Sequence, residues 1–196
     1  MVAYLGDYAD FHGEKIGKKE ARENLGLKDC NNIISYIGTV RKNRNPSETV
    51  DSFLKIADRN DVLIVAGLGT GKYVKNKREN IIIYDGLIPN KQFRDIFCAS
   101  DFIINDGRKY MTSAIVRTAM SYGVPVIVRH YGASIDMAKD ASIIIEENDD
   151  GLTKAIQQAI TINSEEYDKM RREAESRNAE RIWGQYGKAF NELYIS

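Results

Sequence analysis

The sequence has no apolar run close to the roughly 20 residues that span a bilayer. Its opening, MVAYLGDYADFHGEK, lacks a basic start followed by a continuous hydrophobic stretch, so it does not read as a secretory signal. Cys30 and Cys98 stand far apart, with no metal-binding or redox spacing, and are expected as reduced thiols of a cytosolic protein. The 2 histidines, His12 and His130, have no cysteine or carboxylate at ligand spacing, so neither marks a metal site; His130, at a strand end, reads as a satisfied surface histidine. Net charge is absent too: 28 basic and 28 acidic residues balance, which argues against a surface dedicated to nucleic acid. Residues 30 to 160 show no internal repeat, low-complexity tract or linker.

What is present is a run of short apolar segments alternating with helical ones. The 196 residues, 43% apolar and 29% charged, suffice for one sizeable core. Strands are expected at 33–37, 62–67, 80–86, 101–105, 125–129 and 141–147. Between them lie helical stretches. Asn45, Pro46 and Glu48 supply a cap, a first-turn proline and an acid before an amphipathic run to about Ala57. A short helix fits 90–99, and another starts near Tyr110 to Thr112 and breaks at Gly123. From Asp149 the chain reads as helical to its end, with a capping signal near Asn163 or Ser164. Apolar strands separated by helices predict an α/β domain, a doubly wound parallel sheet of Rossmann-like type over 31–162. Residues 1–30, with the charged helix KKEARENLGL, read as a lead-in from a missing upstream domain, and 163–196 as C-terminal helices.

In such sheets the ligand crevice lies beyond the carboxyl ends of the strands, which singles out the loops after Gly38, Gly67, Gly86, Asn105 and Arg129. The segment AGLGTGKY (66–73) imitates a phosphate-binding loop. However, Tyr73 stands where a magnesium-binding hydroxyl belongs, and the next strand leaves no room for the obligatory helix. It reads as a glycine loop at the crevice. GTVRKNRNP (38–46) is different, because Gly38 permits a tight turn and Arg41 and Arg44 precede a helix start. Guanidinium forks and free helical N–H groups suit phosphate oxygens; the bland alternative is a solvated basic loop. Thr112 and Ser113 likewise serve either as plain helix caps or as donors to an anion. No nucleophile elbow surrounds Ser134, and no carboxylate pair stands out.

The ordered series of these phrases resembles the C-terminal, nucleotide-sugar-binding domain of group 1 (family 4) glycosyltransferases of the GT-B fold. EARENLGL with IISYIGTVRKNRNP, VLIVAGLG, NIIIYDGLIPNKQFRDIFCASDFIIN, TAMSYGVPVIV, GLTKAIQQAI and WGQYGKAFNELY follow the family's order through nearly the whole chain. The resemblance implies a donor diphosphate held by Gly38, Arg41, Arg44, Thr112 and Ser113. It implies a nucleoside framed by Gly67, Gly86, Leu87, Pro89 and Thr118, and Tyr110 near the donor sugar. Many members carry two glutamates on this helix, one by the sugar and one on the ribose; Tyr110 and Thr118 occupy those positions here. The usual ribose clamp is therefore absent.

The implied activity is transfer of a sugar from a UDP- or GDP-sugar donor to a glycan or lipid-linked acceptor, as in surface polysaccharide assembly. The family implies retention of configuration and no metal or other cofactor. YLGDYADF resembles the crossover from the acceptor-binding domain, so this domain alone is expected to transfer little. A cytoplasmic location, with peripheral membrane association of the full-length enzyme, fits such an acceptor.

Overall fold

A computed structural model describes residues 6–41, 46–75, 78–107, 113–179, 184, 187, 188 and 190–192. Six strands form one parallel sheet: β1 (Ile33–Ile37), β2 (Val62–Gly67), β3 (Ile81–Asp85), β4 (Phe102–Asn105), β5 (Val126–Arg129) and β6 (Ser142–Ile145). Their order is β3-β2-β1-β4-β5-β6, the doubly wound arrangement expected from the alternation of apolar runs and helices. The order reverses beside β1. From there the chain moves outward through β2 and β3, then returns to β4 on the other side.

The central strands are buried at every position and mostly apolar, because both faces are covered. Ile33, Ile37, Val62, Ile64, Ala66, Ile103, Val126 and Val128 join one buried cluster, while Ile34, Tyr36, Leu63, Val65, Phe102, Ile104 and Ile127 join the other. Alternate residues of a strand thus feed opposite layers, as the two-residue period requires. One layer is formed with α2 (Lys18–Asn24), α4 (Asn90–Ala99), α5 (Ala114–Ser121), α6 (Ala133–Ala138) and α8 (Ser164–Ala179). The other is formed with α3 (Ser47–Ile56) and α7 (Gly151–Thr161).

Three local expectations shift. The helix expected to start near Tyr110 to Thr112 begins at Ala114, because Ser113 is extended (φ −105°, ψ 111°) and caps it, its Oγ accepting from Val116 N–H. Helix α6 arises in YGASIDMAKD, which carries no clear periodic signal. The C-terminal helical stretch is broken at Ile162 and Asn163, where Asn163 Oδ1 accepts from Glu166 N–H at 3.0 Å and starts α8.

Residues 6–30 pack onto the sheet domain. Helix α1 (Ala9–His12) and α2 both lie against α4. The guanidinium of Arg117, fully buried on α5, donates from Nε to the Gly6 carbonyl at 2.9 Å and from Nη2 to Asn178 Oδ1 at 2.6 Å. Asn178 in turn donates to Asp7 Oδ2 at 2.7 Å, so one arginine ties the lead-in and α8 to α5. Burial pushes the Asp7 carboxyl up. Hydrogen bonds from Asn178, Ser121 and the Ala9 N–H, with the nearby Arg117 charge, outweigh it and hold the group below its ordinary value.

Candidate functional site at the carboxyl edge of the sheet

At the C-terminal ends of β1, β2 and β3, the backbone itself forms the wall of a cavity. Gly38, Gly67 and Gly86 follow or end these strands side by side; Gly38 N–H donates to the Ala66 carbonyl and Gly86 N–H to that of Gly67. Gly67 cannot be another residue without rearrangement. Its φ is +134°, and a Cβ there would run into the Gly38 carbonyl. The close approach leaves a stretch of wall with no side chains, open to a ligand lying along it.

The glycine loop after β2 turns away from this wall for an identifiable reason. Gly69 N–H donates to Asp85 Oδ1 at 2.7 Å, Thr70 Oγ1 donates to the Gly67 carbonyl at 2.9 Å, and a short 3-10 turn (Thr70–Tyr73) follows. The carboxylate of Asp85 holds the Gly69 amide, so AGLGTGKY is a pinned turn of which Gly67 and Leu68 alone among its described residues reach the cavity.

The cavity measures about 530 Å³, the size of a small-molecule site. Its described lining brings together Gly38, Gly67, Gly86, Asn105 and Arg129, the five strand ends singled out from topology. Arg41, Leu87 and Ser113 line it as well. Arg41 is exposed and Leu87 is 91% exposed, an apolar side chain held out at the rim. At the base of α5, Ser113 Oγ takes the Val116 amide, while the amides of Ala114 and Ile115, both on the wall, have no acceptor within the helix. No aspartate or glutamate lines the cavity among the described residues, whereas two arginines do.

Two expected contacts are not brought to the wall. Thr118 is 2% exposed, and its hydroxyl donates back to the Ala114 carbonyl at 2.8 Å, one turn earlier in α5. Pro89 sits just before α4, behind Leu87 and Ile88, which do line the cavity. Arg44, Tyr110, Thr112 and the cap at Asn45 lie outside the described residues.

Sequence reasoning missed His12, Phe93, Arg129 as a side chain, Tyr131 and Ser134, all on the wall. His12 comes from the lead-in. Its ring lies 4.3 Å from that of Phe93, and its Nδ1 is 3.1 Å from Asn90 Oδ1, while Asn90 Nδ2 donates to the Phe11 carbonyl. Because the Asn90 amide nitrogen is engaged with a carbonyl, its oxygen faces the imidazole and Nδ1 is the protonated nitrogen. Nothing periodic in the sequence signals that a segment before the first strand folds over to the far end of the sheet. Arg129 was legible as a strand end, but its inward orientation depends on the Asp106 carbonyl, which accepts from Nε at 3.1 Å.

Comparison with known proteins places these features in a family. The sequence model of the family described as "Glycosyl transferases group 1" matches residues 31–161. A putative teichuronic acid biosynthesis glycosyltransferase, TuaC of Bacillus subtilis, is 26% identical over 122 residues, covering 62% of this chain and 31% of TuaC. Among solved structures, WaaG, a glycosyltransferase involved in lipopolysaccharide biosynthesis, superposes with a TM-score of 0.80 at 16% identity, over 96% of this chain and 55% of WaaG. Anabaena HepE, solved in complex with UDP-glucose, superposes with a TM-score of 0.80 at 13% identity, over all of this chain and 57% of HepE. The chain therefore spans about a third of that curated relative's length and just over half of these solved chains. With the family match running from just before β1 to the end of α7, over a sheet of GT-B Rossmann-like form, the chain belongs to the group 1 glycosyltransferases.

Proposed function

We propose that this domain binds the nucleotide-sugar donor of a glycosyltransferase, with the cavity at the carboxyl edge holding the nucleoside diphosphate. The observation that carries this is the charge of the wall: Arg41 and Arg129 face a cavity whose described lining includes no carboxylate. An anion fits there, and the amides at the start of α5 favour the same charge. In this assignment Gly38, Arg41, Arg44, Thr112 and Ser113 meet the diphosphate. Gly67, Gly86 and Leu87 frame the nucleoside, and Tyr110 lies toward the sugar. HepE, which shares the fold, was solved with UDP-glucose, and this supports a UDP-sugar as the first donor to try.

Arginines and helix amides would stabilise the departing diphosphate in place of a metal ion, because charge develops on the leaving group as the glycosidic bond breaks. The acceptor, a glycan or lipid-linked chain, would be held by the other half of a GT-B enzyme across the cleft. A donor domain alone would transfer little, since orientation of the two substrates supplies much of the rate. TuaC and WaaG support a role in surface polysaccharide assembly. Retention of configuration and a position at the inner membrane face belong to the same proposal; among the described residues no helix is long and apolar enough to cross a membrane.

Calorimetry with UDP, GDP and their sugars tests the donor site. Binding that weakens in Arg41→Ala and Arg44→Ala is expected. No binding of any of these ligands, with wild type and variants alike, would sink it. A second reading, a non-catalytic nucleotide-binding or protein-interaction module, is favoured by the absence of the family glutamates at Tyr110 and Thr118. Donor binding without transfer by the full-length enzyme, across all donors tried, would decide for it.

A further inference from the structure

Arg129 closes β5, is one of the residues that line the cavity and is 6% exposed, so little water surrounds its guanidinium. A buried arginine keeps its charge, and its planar fork of N–H donors needs acceptors. Nε is held by the Asp106 carbonyl, and Nη2 donates to Glu48 Oε1 at 3.0 Å. Glu48 arrives from the first turn of α3, and the two partners are unequally fixed: its side chain is 44% exposed against 7% for the arginine. The cation is anchored by strand and carbonyl, while the carboxylate belongs to the more exposed side chain of the pair.

A carboxylate and a phosphate present the same pattern of oxygens to a guanidinium. The N-terminal turn of α3 favours either anion, so an acid at this place does what a bound phosphate would do. Given a nucleoside diphosphate in the cavity, as assigned above, we propose that Glu48 is an internal counter-ion for Arg129 that the diphosphate displaces. Arg129 is then a diphosphate-binding residue, and Glu48 sets how strongly the diphosphate is held. Exchange of one anion for another leaves the buried charge neutralised in both states. It costs affinity, because the incoming phosphate gains only the difference between itself and the carboxylate.

The test is calorimetric titration of the chain with UDP and GDP, with uridine and guanosine as phosphate-free controls. Glu48→Gln is expected to tighten diphosphate binding about threefold to tenfold, the range of a partly exposed ion pair, and to leave nucleoside binding unchanged. Arg129→Lys, which loses the fork, is expected to weaken diphosphate binding about tenfold. In an Arg129→Met background Glu48→Gln should change nothing, since a double-mutant cycle isolates the coupling. The proposal is overturned if Glu48→Gln weakens UDP and GDP binding or leaves it unaltered. It is equally overturned if the gain extends to nucleosides or persists without Arg129. Thermal melts accompany each variant, and Glu48→Gln alone decides the matter if the Arg129→Met chain does not fold. A wild-type chain that binds neither nucleotide removes the donor-site assignment and this proposal together. Binding that depends on Arg41 but is indifferent to Glu48 removes this proposal alone.

Discussion

The two edges of the sheet treat charge in opposite ways. At the amino edge, Asp101 precedes β4 and is enclosed by donors: the Ile33 N–H at 2.7 Å, Lys18 Nζ at 2.7 Å and Arg22 Nη2 at 2.6 Å. Its neighbours complete the set, since Arg22 also donates to the Ala99 and Cys30 carbonyls and Tyr167 to the Asp101 carbonyl. Every charge there is answered by the protein. At the carboxyl edge, Arg41 is exposed beside the cavity and Arg129 is answered by one half-exposed carboxylate. A matched cluster of this kind welds the lead-in to the sheet and contributes to stability. The partly answered edge leaves positive charge beside the cavity, which is what the proposed donor site needs.

That contrast can be broken from either side. The largest effect is expected at the amino edge, where Asp101→Ala strands two cations and the Ile33 amide. It should lower stability by about 3 kcal/mol in urea unfolding. Next is Gly67→Ala, which places a Cβ against the Gly38 carbonyl at a positive φ. A loss of about 2 kcal/mol is expected, together with weaker nucleotide binding, because the same backbone is the cavity wall. Arg41→Ala reverses that balance. An exposed arginine contributes little to folding, so melts should be unchanged while UDP or GDP affinity falls about tenfold.

A smaller and graded effect is expected with pH at the docked lead-in. The Asp7 carboxyl is held below its ordinary value, so its contribution is complete above that value and is lost as pH falls through the depressed one. Hydrogen exchange of residues near Gly6 to Gly13 should therefore accelerate in acid below about pH 4, and Asp7→Asn should flatten the response. The smallest effect is expected for Thr118→Ala. Its hydroxyl only returns a hydrogen bond to Ala114, so stability should change by less than about 0.5 kcal/mol and nucleotide affinity not at all. A large loss of affinity there would mean that α5 rearranges around the ligand.

Much of the architecture was legible because its signals are local. Apolar runs such as 62–67 mark a strand buried on both faces, and helix 90–99 agrees with α4 at both ends. The crevice list followed from one topological rule applied to strand ends, and all five positions line one cavity. The start of α5 was less legible, since Tyr110 to Ser113 offers several residues able to open a helix and only the extended backbone of Ser113 chooses among them. Thr118 illustrates a different limit. Position in the helix was correct, but which side of α5 faces the cavity depends on how the helix rolls against the core, where Thr118 is buried.

By itself, the sequence determined the sheet, the glycines at its carboxyl edge, the basic loop after β1 and the family. Each depends on residues near one another in the chain, whose period, size or conformational freedom acts locally. Tertiary structure alone decided that His12 folds over from before the first strand onto Phe93 and Asn90. It alone set the Asp85 carboxylate on the Gly69 amide to close the glycine loop and Glu48 against Arg129. Those pairings join residues far apart in sequence. They exist because the packed chain brings these polar groups within reach of one another, and in the case of Arg129 because a buried charge demands a partner.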